Sequence, residues 1–363
     1  MRKQAVSRHP IPRLAAFAAV ALAIVASVAS IPAPAQKFPK PPKPQKPQAP
    51  TVRTEVNLVP VYFTVRDDKH ALVTNLPREE FRVFEDGKEQ PIDAFAHETD
   101  VPLNLGVLLD TSTRMATLRG AEADAANMFL SQVVRRNDLA FVLSFDARVN
   151  VLTEPSQELD ALERGVFGIM KDSQLDPPGS IRGTAPSGTR VDPPPLPSPA
   201  KMFREAHMFD AVGLGAHRYL SHEVGRKAIV ILALADDRKS ETTVEQALRA
   251  LQETDVIAYV LEFSHDGDDY CDIAHTFTAG PHNAERLAEE TGGRVIKVKG
   301  RAKLKAAFAE IAEELHSQYY LGYYMPNPAR DSRFHKIEVK TNGRGYRVQA
   351  RRGYYADPIA DDQ

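Results

Sequence analysis

The stretch Leu103-Asn104-Leu105-Gly106-Val107-Leu108-Leu109-Asp110-Thr111-Ser112-Thr113-Arg114 decides the fold. Its LGVLL portion is almost continuously apolar, as expected of a strand buried on both faces of a parallel sheet. Similar short runs recur at Ala140 to Phe145, Ile229 to Leu234, Val256 to Phe263 and Arg294 to Val298. Between them lie segments with helical spacing. Leu118, Ala121, Ala125, Met128, Phe129 and Val133 form one; Val244, Leu248 and Leu251 form another, with Ser240 and Thr242 placed to cap it. Leu287 precedes the helix stop Gly292-Gly293, and Leu304, Ala307, Phe308, Ile311 and Leu315 line a last helix. Alternating strand and helix implies right-handed crossovers, hence an open Rossmann-like α/β sheet covered on both sides. Ligands of such sheets bind beyond the carboxyl ends of the strands, at the topological switch point. Asp110 to Arg114 stand at such an end.

Outward from this core the pattern turns to β. Residues 53–97 read as strands: Val56 to Val65 and Glu80 to Glu85 alternate with period two, and Asp86-Gly87 is a tight-turn pair. The tail repeats this in QYYLGYYM, FHKIEVKT and YRVQARRGYY, and Asn342-Gly343 predicts a hairpin between the last two. The two β pieces, residues 53–100 and 317–356, are expected to pack together, with the α/β domain of residues 101–316 inserted between them.

Charge and proline mark the remaining boundaries. Residues 1–51 hold eight basic residues and no acidic one, which leaves the other 312 with 38 basic and 48 acidic. An acidic body argues against nucleic-acid binding, which depends on clustered Lys and Arg. Arg2, Lys3, Arg8 and Arg13 precede an apolar run from Leu14 to Val28, followed by Ala33-Pro34-Ala35. That order reads as a secretory signal peptide over residues 1–35, with the mature chain starting near Gln36 in the periplasm or outside the cell. Retained, the same segment would instead be a membrane anchor. Of 27 prolines, eight lie between Pro32 and Pro50 and eight between Pro177 and Pro199. The first group makes residues 36–52 an extended linker, the second makes 176–200 a long loop, and residues 357–363 form a short tail. The single cysteine, Cys271, excludes an intrachain disulfide framework and any multi-cysteine metal centre.

These features together resemble the von Willebrand factor A (VWA) domain, and specifically the secreted bacterial VWFA-related proteins. The resemblance covers roughly residues 53–355, through VPVYFTVRD, ALVTNLPREEFRVFEDGKEQPI, VPLNLGVLLDTSTRM, FDAVGLGA, IVILALADDRKS and the tyrosine-rich tail. It implies a metal-ion-dependent adhesion site of the form Asp-x-Ser-x-Ser, completed by a Thr and an Asp from two further loops. Oxygen ligands of that kind hold Mg²⁺ octahedrally and leave one position for a partner's carboxylate. Asp110 and Ser112 match, Arg114 replaces the second Ser, and the Thr and Asp positions fall on Ala206 and Leu234. Asp236 stands two residues late for the missing acid. Such a degenerate set is expected to hold no metal, with the Arg114 guanidinium reaching back to Asp110 in place of the cation.

His265 to Asp272 is rich in carboxylates that suit Ca²⁺, but it lacks the EF-hand spacing and reads as a solvated loop. His265, His275, His282 and Cys271 match no zinc spacing. Gly213-Leu214-Gly215 lacks the third glycine of a dinucleotide fingerprint and is read as close helix packing. Tyr319, Tyr320, Tyr323 and Tyr324 can stack on a sugar or partner, although alternating aromatics more often fill a β core. No nucleophile elbow, phosphate loop or His-Glu-x-x-His helix is present.

The expectation is an exported, non-enzymatic protein-interaction module without catalytic residues or cofactor. Its unknown protein partner would meet the face made by Asp110, Thr111, Ser112, Arg114, Asp236, Asp237 and Arg238. One alternative is a Mg²⁺-dependent adhesion module. Another is an envelope hydrolase using Ser112, with a base such as His207.

Overall fold

Strand β1 (Leu58–Asp67) alternates cleanly, and both of its faces find apolar cover. The computed structural model describes residues 58–97, 101–112, 115, 118–172, 206–234, 237, 239–264, 280–325 and 332–356. Val59, Val61, Phe63 and Val65 point into the core of a small β sandwich, while Tyr62 packs on the core of the α/β domain. After β1 come β2 (Phe81–Glu85), β3 (Lys88–Gln90) and β4 (Ala94–His97). Asp86 and Gly87 both take positive φ, 48° and 80°, so a two-residue turn closes the β2–β3 hairpin as expected.

The α/β domain follows. In chain order it consists of β5 (Leu103–Asp110), α1 (Arg119–Val133), β6 (Leu139–Phe145), β7 (Val149–Ser156) and α2 (Leu159–Asp172). It continues with α3 (Met208–Leu214), β8 (Arg226–Ala233), α4 (Val244–Glu253), β9 (Ile257–Ser264), α5 (Gly280–Thr291), β10 (Val295–Lys299) and α6 (Arg301–His316). The sheet order is β10-β9-β8-β5-β6-β7, parallel except for β7 at one edge. One core cluster packs α1, α2 and α6 against one face of the sheet; another packs α3, α4 and α5 against the opposite face.

The chain then returns to the sandwich through β11 (Tyr319–Tyr324), β12 (Phe334–Thr341), β13 (Tyr346–Ala350) and β14 (Gly353–Tyr355). Its two sheets have the orders β13-β1-β11-β4 and β14-β12-β2-β3. Each sheet therefore mixes strands from both ends of the described chain, and the α/β domain is an insertion. Tyr319 and Tyr323 fill the sandwich core, whereas Tyr324 is exposed.

Four local expectations are corrected. β12 and β13 pair with different partners, in different sheets, so Asn342-Gly343 sits in a crossover between layers instead of a hairpin. Strand β7 has no counterpart among the expected strands, because an edge strand half-buried along its length shows no apolar run. Helix α4 is capped by Thr243, in a capping box with Gln246; Ser240 and Thr242 bond elsewhere. In α1 the buried stripe runs through Leu118, Glu122, Ala125, Phe129 and Val133, leaving Ala121 and Met128 only half-buried.

Close approach fixes the helix stop. A Cβ on Gly293 would lie 1.9 Å from the Ala258 carbonyl oxygen, so only glycine lets β10 enter beside β9. Gly215 touches Ile229 and Phe141, in line with the packing role read from the sequence, and opens a π-helical segment, Gly215–Leu220. Between sandwich and insertion, Arg66 of β1 and Arg294 both donate to the wholly buried carboxylate of Glu314 on α6. Arg294 also donates to Glu310 at 2.6 Å. No helix among the described residues is long and apolar enough to cross a membrane.

Candidate functional site

Strand β5 lies between β6 and β8, and its connection and that of β8 leave toward opposite faces of the sheet. The space beyond their carboxyl ends is the switch point. Asp110 ends β5 there and is buried. Its Oδ1 accepts the Ser112 amide at 2.9 Å, folding the chain back at once, and its Oδ2 accepts the Leu234 amide at 3.4 Å. The Thr111 amide donates to the Phe145 carbonyl at 2.9 Å, and the Arg119 guanidinium donates to the Thr111 carbonyl at 2.5 Å. The first loop is thereby held to β6, to α1 and to the end of β8.

Two more carboxylates fasten the neighbouring loops. Asp237 Oδ1 accepts the Phe209 amide at 3.0 Å and the Ser240 hydroxyl at 2.6 Å. Its Oδ2 accepts the Ser240 amide at 3.3 Å. Burial pushes the Asp237 carboxyl above the usual range against those hydrogen bonds, and the nearby Asp210 charge adds to the rise. Asp210 accepts the amides of Thr242 at 2.8 Å and Glu241 at 3.1 Å, and meets His207 Nδ1 at 3.1 Å. Burial works against the charge on Asp210, yet donors from Thr242, Glu241 and His207 outweigh it and hold its carboxyl below the usual range. The His207 amide donates to the Asp146 carbonyl at 2.9 Å, which joins the start of α3 to the end of β6.

Beneath this loop cluster stands Glu122, on the sheet-facing side of α1. It is wholly buried, and neither carboxyl oxygen has a hydrogen-bond partner among the described residues. Burial drives its carboxyl far above the usual range; the Asp110 charge adds to this and Arg119 partly offsets it. Glu122, like Asp210, is a residue of this cluster that the sequence did not single out. Its signal was an acid four residues after Leu118 and three before Ala125, on a stripe that is otherwise apolar.

Asp110, Thr111, Ser112 and Asp237 from the expected face come together at the switch point. Arg114, Asp236 and Arg238 lie outside the described residues, as do the 176–200 loop and the His265 to Asp272 cluster. Ser112 is 2% exposed, and its Oγ has no hydrogen-bond partner among the described residues.

The oxygens left over decide whether Mg²⁺ fits. Both oxygens of Asp110 and of Asp237 already accept hydrogen bonds, and Asp146 spends its pair on the Arg148 amide and the Thr111 hydroxyl. Leu234 contributes an amide donor to Asp110, and Ala206 carries no side-chain oxygen. Ser112 Oγ and both Glu122 carboxyl oxygens have no hydrogen-bond partner among the described residues.

Neither family models nor curated proteins match the chain. Solved structures do, at low identity. A von Willebrand factor type A protein from Catenulispora acidiphila is 10% identical, with 85% of this chain and 76% of that one covered and a TM-score of 0.42. The vWF domain of the type V pili tip protein Mfa5 from Porphyromonas gingivalis is 9% identical, covering 60% and 96%, with a TM-score of 0.40. Proximal thread matrix protein 1 from the mussel byssus is 9% identical over 71% of this chain, which spans 50% of that protein, at a TM-score of 0.40. Strand order and helical layers give the inserted domain an open, Rossmann-like α/β architecture covered on both faces, and the chain is similar in fold to these von Willebrand factor type A structures.

Proposed function

We propose that the chain is an exported, non-enzymatic interaction module whose switch-point face receives a protein partner without a metal ion. The observation that supports this most is the set of carboxylate-to-amide bonds joining the loops: Asp110 to Leu234, Asp237 to Phe209 and Asp210 to Thr242. Amide donors supply there what a cation supplies elsewhere, a fixed arrangement of loops around buried carboxylates. The face is thus shaped in advance of its partner, which lowers the ordering cost of binding. Export rests on the basic, apolar and small-residue order of the first 35 residues.

The test is partner capture from an envelope extract, with the full chain as bait. Equal capture in EDTA and in Mg²⁺, together with loss in the charge-reversed variant Asp236→Lys/Arg238→Glu, is the expected result. Capture abolished by EDTA alone would favour the Mg²⁺-dependent module. Ester turnover by the purified chain, lost in Ser112→Ala, would favour the hydrolase.

A further inference from the structure

A second group of ligand-type side chains lies far from the switch point in sequence, on the sandwich. Glu85 ends β2, Asp86 opens the β2–β3 turn, and β12 pairs with β2 so that His335 stands beside them. His335 Nδ1 is 3.0 Å from Asp86 Oδ2 and 3.7 Å from Glu85 Oε1, and the three atoms lie within 4.8 Å of one another. Ligands held about 2.0–2.1 Å from a tetrahedral zinc ion are about 3.3 Å apart. The two separations from the imidazole bracket that edge length.

The far side of each carboxylate is already held. Glu85 Oε2 accepts the hydroxyls of Tyr323 at 2.6 Å and Tyr354 at 3.1 Å, and Asp86 Oδ1 accepts the Lys336 amide at 2.9 Å. The His335 ring stacks on Tyr354, with centroids 5.5 Å apart. Outer contacts of this kind orient metal ligands and fix which oxygen faces the ion. Glu85 itself is 4% exposed, and its Oε1 lies 3.7 Å from His335 Nδ1. A buried carboxylate beside an imidazole nitrogen and a second carboxylate is a place for a cation. Asp86 is exposed, which gives the ion a way in from solvent.

We propose that Glu85, Asp86 and His335 bind one divalent transition-metal ion of borderline hardness, zinc being the representative, with water in the fourth position. One imidazole and two carboxylates form a donor set that suits Zn²⁺ and its first-row neighbours better than the all-oxygen shells of Ca²⁺ or Mg²⁺. The ion would fasten the β2–β3 turn to β12, joining the sandwich strands that precede the inserted domain to those that follow it. Its rival is a proton, bridging Nδ1 and Asp86 Oδ2 as a plain ion pair.

The full chain, stripped with EDTA and dialysed, is titrated with ZnCl₂ by calorimetry and melted with and without the metal. One saturable equivalent and a rise in Tm are expected, since the ion binds only the folded arrangement. Asp86→Asn and His335→Gln, both at solvent-reachable positions, should each weaken binding by about 100-fold or more, while Glu313→Gln, at an exposed position on α6, leaves it unchanged. Melting in EDTA verifies that the variants fold, and Co²⁺ in the same site should show the visible absorption of a tetrahedral centre. Absence of saturable zinc binding up to millimolar metal would overturn the proposal. So would binding that Asp86→Asn and His335→Gln leave intact in folded protein.

Discussion

Replacing Glu314 by glutamine is expected to lower the unfolding free energy by about 3–5 kcal/mol, the usual cost of removing one partner from a buried charge pair. Glu314 is wholly buried, and the guanidiniums of Arg66 and Arg294 both donate to it. The two arginines are themselves largely sequestered between β1, β10 and α6, so neither recovers full hydration when the carboxylate is lost. Neighbouring Glu313 is exposed on the same helix. Glu313→Gln should therefore change stability by no more than about 0.5 kcal/mol. Urea denaturation followed by circular dichroism measures both. A loss below 1 kcal/mol in Glu314→Gln would show that the junction does not depend on this carboxylate.

The same substitution at Glu122 is expected to act in the opposite direction. Glu122 is as buried as Glu314, but it has no hydrogen-bond partner among the described residues and lies within reach of the Asp110 charge. Its carboxyl is raised in the folded state, so between the ordinary carboxylate range and the raised value the folded chain holds a proton that the unfolded chain has released. Stability must then fall as pH rises through that window, and below it the group contributes no slope. Glu122→Gln removes the ionisation. At pH 7 it should stabilise by about 1–3 kcal/mol, the scale of an unsatisfied buried polar group in mutational data. Near pH 4 it should be close to neutral. Destabilisation at pH 7 would mean that something the described residues do not include compensates the Glu122 charge.

This pair of glutamates also shows where sequence reading stops. The α/β core was legible because its strands are apolar on both faces, and LGVLL or AIVILAL admits few other readings. The flanking β pieces were legible as β, and Asp86-Gly87 announced its own turn. Pairing was harder. Asn342-Gly343 looks the same in a hairpin as in a crossover between two sheets, because a turn dipeptide fixes local dihedrals and carries no information about partner strands. At the switch point Asp110 and Ser112 were found from their place after an apolar strand. Asp210 was not among the expected site residues, although it fastens the start of α4. Glu122 and Glu314 were both acids on helices. Only tertiary contact distinguishes the one that accepts hydrogen bonds from two arginines from the one whose oxygens find no donor among the described residues.

The central claim is that the switch point is organised by hydrogen bonds from the chain itself and holds no metal. Calorimetric titration of the full chain with MgCl₂, with Asp110→Ala measured in parallel, tests it most directly. The account predicts no saturable heat up to millimolar Mg²⁺ in the unmodified chain, and none in Asp110→Ala. Submillimolar Mg²⁺ affinity that disappears in Asp110→Ala would contradict it.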